Sequence, residues 1–105
     1  MVWYKNLYVG RLIGARKDRI IDEIDRGKYP AGVYLITVPE SESSQLEIMA
    51  ARELRHDWIR KHCRMIVGLG QGKTEAQSMV EAIVRDVYSD RGDADIRSFL
   101  SEGNE

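Results

Sequence analysis

Apolar residues recur along this chain in two rhythms, and the switches between them outline its elements. From Leu12 to Arg26, the residues Leu12, Ile13, Ile20, Ile21 and Ile24 fall at helical spacing. Arg16, Lys17, Asp18, Arg19, Asp22, Glu23 and Asp25 mostly take the opposite face, so the segment predicts an amphipathic helix. Gly27 stands where a left-handed cap belongs, with Pro30 just beyond it. Val33–Val38 (Val-Tyr-Leu-Ile-Thr-Val) is β-branched and aromatic and stops at Pro39, which predicts a strand covered on both faces. Leu7–Val9 reads as a short strand, Pro39–Gln45 as a polar loop, and Leu46–Ala50 as a half-exposed strand. Arg52–His62 predicts a short amphipathic helix with Leu54, Trp58 and Ile59 turned inward. Arg64–Leu69 is a second buried strand, and Gly70–Lys73 connects it to a second helix. That helix opens on Thr74 and Gln77 as a capping box and carries Ala76, Met79, Val80, Ile83, Val84, Val87 and Tyr88 as its apolar stripe. Asp95–Leu100 alternates as a final edge strand would, leaving 101–105 as a flexible tail.

These elements predict an α/β (or α+β) fold: one two-layer domain over 1–105, with two main helices on a sheet of roughly three to five strands. The strand, turn and helix at 64–88 form half of a βαβ unit if the last segment pairs in parallel. Composition agrees, since 43% hydrophobic and 31% charged residues exclude a disordered chain. The lone cysteine, Cys63, excludes an internal disulfide framework and fits a reducing compartment. The opening residues lack a charged leader with an apolar run, no stretch reaches membrane length, and neither end carries a lipidation signal. The expectation is therefore a bacterial, cytoplasmic protein with no membrane partner.

A net charge of −1 excludes a globally basic nucleic-acid binder. The total hides a division, however. Residues 1–73 carry 13 Lys and Arg against 9 Asp and Glu (+4), and residues 74–105 carry 3 against 8 (−5). Arg52, Arg55, Arg60, Lys61 and Arg64 surround Trp58, an arrangement suited to phosphate contacts and base stacking. A solvated helix face with Trp58 as its core anchor accounts for the same residues without a ligand. The opposed halves can also satisfy one another, within the fold or across a symmetric dimer.

Val67-Gly68-Leu69-Gly70-Gln71-Gly72-Lys73-Thr74 resembles a phosphate-binding loop between strand and helix. G-x-x-x-x-G-K-[ST] requires glycine at 67, where valine stands, and G-x-G-x-x-G requires one at 73, where lysine stands. What survives is a turn whose glycines serve backbone geometry, with Gly70, Gly72, Lys73 and Thr74 as a candidate weak anion site. His56, His62 and Cys63 supply too few converging ligands for a closed metal site, and adjacent His62 and Cys63 diverge too far for a nucleophile pair. Asp90, Asp93 and Asp95 lack calcium-loop spacing. No cofactor, metal or catalytic residue is indicated.

Gly32-Val33-Tyr34-Leu35-Ile36-Thr37, Ile66-Val67-Gly68-Leu69 with Gly72, Glu75-Ala76, Val87-Tyr88 and Asp95-Ile96-Arg97 recur in this order in a set of short uncharacterised bacterial proteins, which the chain resembles over most of its length. That family has no assigned activity, so the resemblance implies no catalytic residue. It also implies that the Lys-Thr pair is not obligatory. The expectation is a non-catalytic module that self-associates or docks on a protein. A nucleic-acid accessory role through 52–64 and phosphate-ligand binding at 68–74 are the alternatives.

Overall fold

In the computed structural model, which describes residues 2–41 and 45–103, four strands form one mixed sheet. They are β1 (Val2–Val9), β2 (Val33–Pro39), β3 (Glu47–Ala50) and β4 (Cys63–Gln71), in the order β1-β4-β2-β3. β1 runs parallel to β4, while β2 is antiparallel to both β3 and β4. The helices are α1 (Lys17–Asp25), α2 (Asp57–His62), α3 (Lys73–Arg91) and α4 (Ile96–Gly103), with 3₁₀ turns at Gly14–Arg16 and Ala51–Arg55. A Cα radius of gyration of 13.0 Å matches one packed body of this length.

The sheet separates two cores, which is why β2 is apolar on both faces. Ile36 and Val38 pack with Val67, Met79, Ile83, Val87, Ile96 and Leu100 beneath α3 and α4. Val33 and Leu35 face the other way, against Ile13, Ile20, Ile24 and Leu54. The mixed α/β domain expected from the sequence is thus observed, with helices on both faces adding a layer. α1 presents Ile20 and Ile24 one turn apart and ends where Gly27 takes a positive φ of 80°.

Three local readings change. Asp95–Leu100 is no edge strand: Ile96 and Leu100 lie on one side of α4 and enter the core beneath it. Asp95 caps α4, accepting hydrogen bonds from the Ser98 amide (3.3 Å) and hydroxyl (2.8 Å). The βαβ expectation goes with that strand. The segment 52–62 is two elements, because His56 is extended (φ −84°, ψ 121°) between the 3₁₀ turn and α2. That break rotates the second element, so Leu54 is buried and Ile59 half-buried while Trp58 points outward, 66% exposed. Finally, α3 begins at Lys73 behind Gly72, and Thr74 makes no capping bond. Of the predicted polar loop, 42–44 lie outside the described residues, as do 104 and 105 of the predicted tail; 101–103 belong to α4.

Candidate functional site

Two places suggested by the sequence offer themselves for binding. At the first, β1 and β4 end side by side and in parallel. The helices that follow them, α1 and α3, pack on opposite faces of the sheet. Such a point, where connections diverge, is where open α/β sheets commonly bind ligands. Here a side chain of α3 enters it. Glu75, in the first turn of α3, accepts hydrogen bonds from the Gln71 amide (2.8 Å, Oε1) and the Leu12 amide (2.9 Å, Oε2). A carboxylate of the chain itself therefore occupies the Leu12 and Gln71 amides beside the turn, while the first-turn amides of α3 are not among its donors. Around it Arg16 donates to Gln71 Oε1 (2.9 Å), Gln71 donates to Gly32 O (3.1 Å), and the Gly72 amide donates to the same carbonyl (2.8 Å).

The glycines here have structural duties. A Cβ on Gly70 would come within 3.0 Å of the Ala76 backbone nitrogen, so Gly70 lets α3 lie close on β4. Gly72 takes a positive φ of 84° to turn strand into helix. Lys73 and Thr74 are exposed and stand outside the Glu75 network.

The second place lies across the molecule, at the far ends of β2 and β4. The β2–β4 register shifts between Ile36 and Thr37 and again between Val38 and Pro39, leaving Val67 and Arg64 as extra residues on β4. The second shift turns Cys63 away from the face of Met65 and into the core shared by Leu35 and Leu54. Thr37, Pro39 and Cys63 thereby line one cavity of about 270 Å³. Met49 and Glu47 of β3 form a wall of it, and Trp58, Ile59 and His62 of α2 form the other, with Ser41 at the margin.

The cavity's deepest groups, Cys63 and Thr37, are neutral, while Glu47 brings a carboxylate to its wall. Burial pushes the Cys63 thiol up to about 11, so it is protonated at neutral pH. Thr37 is 1% exposed, and its hydroxyl has no hydrogen-bond partner among the described residues. At the mouth the Trp58 indole stacks on the His62 ring, centroids 4.2 Å apart. His62 Nδ1 donates to the Trp58 carbonyl (2.8 Å), since a carbonyl oxygen can only accept. Arg97 reaches from α4 to donate to Pro39 O (2.9 Å) and Ser41 O (2.6 Å), fixing the end of β2 beside the cavity.

The sequence-predicted cations divide around this cavity. Arg60 is pinned, donating to Leu54 O (2.6 Å) and pairing with Asp57. Lys61 and Arg64 are exposed and line a second depression with Glu40, to which Cys63 also contributes. Arg52 and Arg55 are exposed on the preceding turn. Among the described residues no three His, Cys, Asp or Glu side chains gather as a metal site. No described helix is long and apolar enough to cross a membrane.

The sequence reading missed Thr37, Pro39, Glu47, Met49 and Ile59 as a group, because they come from three separate elements. The available signal was Thr37 itself, the one threonine in the apolar run of β2. No family model matches the chain, and neither curated proteins nor solved structures give a match.

Proposed function

We propose that this protein is a non-catalytic interaction module that docks a protein partner on the face formed by α2 and the adjoining ends of β2 and β3. The observation that carries this reading is Trp58. A large aromatic ring, 66% exposed and braced by His62 at the mouth of an apolar cavity, is the kind of anchor that concentrates binding energy. A helix face with Trp58 in the core would have removed the need for a partner, and Trp58 does not enter the core. The protonated, buried Cys63 thiol is a weak nucleophile, which favours recognition over covalent chemistry.

Charge placement favours a different protein over a second copy. The acidic residues of α3 and α4 and the basic residues of 52–64 lie on opposite faces of the sheet. A two-fold pair joining like faces would oppose like charges rather than pair opposite ones.

The test places a photo-crosslinking amino acid at Arg55, on the turn before α2, or at Val84 on α3, in cells. A discrete adduct from position 55, resistant to nuclease and lost on adding Trp58→Ala, is the expected result, with none from position 84. Absence of a Trp58-dependent adduct at 55 would remove the proposal, and a nuclease-sensitive one would transfer the face to nucleic acid.

A further inference from the structure

We draw no further inference here: the strongest candidate, the apolar cavity between β3 and α2 beneath Trp58, is lined by a Thr37 hydroxyl too deeply buried to meet an occupant and flanked by cations that Glu40 and Glu47 offset, so nothing in the structure shows what covers it.

Discussion

The Gly-rich turn and the α2 face both looked like binding sites in the sequence, and they part company in what fills them. At the turn, the amides of Leu12 and Gln71 are answered by the Glu75 carboxylate, so the chain carries its own anion. At the α2 face nothing in the described residues answers the Thr37 hydroxyl, and Trp58 covers no core. The turn advertises itself by glycines and a Lys-Thr pair, yet those glycines serve helix packing and chain reversal. The cavity has no motif, and it arises where two register shifts bring distant residues to one face. A motif reports local backbone geometry. Vacancy depends on which side chains return to fill the site.

The largest expected effect tests whether the turn is closed. Glu75→Ala leaves two amides without their charged partner and should cost about 2–3 kcal/mol, lowering the melting temperature by roughly 10 °C or more. Inorganic phosphate should then stabilise the variant more than the parent, as an external anion enters the vacated cradle. Phosphate stabilisation of the unmodified protein, measured by thermal denaturation, would break the comparison by showing the turn to be open.

A middle-sized effect concerns the cavity floor. The folded protein holds the Cys63 proton more tightly than the unfolded chain does, because burial raises the thiol to about 11. Stability from this source is complete below the ordinary thiol range near 9 and is lost as pH rises through about 11. Compared with Cys63→Ala, the parent should therefore lose melting temperature more steeply between about pH 9 and about pH 11. Parallel profiles would show that the thiol is solvated and the cavity floor is wet.

The smallest stability effect belongs to Trp58. Trp58→Ala removes an exposed ring and its stack on His62, so it should change unfolding free energy by only about 0.5 kcal/mol. Partner capture should nevertheless be lost. A loss of several kcal/mol in chemical denaturation would return Trp58 to a structural role and erase the contrast between the two places.

Periodicity alone was enough for the existence of α1, β2, β4 and α3, because each is long or strongly patterned, although α1 begins at Lys17 rather than near Leu12, which is exposed, as is Tyr88 of the α3 stripe. It also located Gly27 as a cap and Gly72 at the turn into α3. It failed at Asp95–Leu100, where six residues with Ile96, Phe99 and Leu100 apolar satisfy either rhythm loosely; the Asp95 cap and the core beneath α4 decide for helix. At Trp58 the local pattern pointed inward, and the extended His56 rotated it outward. The division of charge was present in the chain from the start, but its placement on opposite faces required the sheet. Segments whose identity depends on near neighbours could be read from the residues. Glu75 bonded to Leu12, and Thr37 lining one cavity with Met49 and Cys63, join residues far apart in sequence, and only tertiary packing establishes which polar groups find partners within the fold.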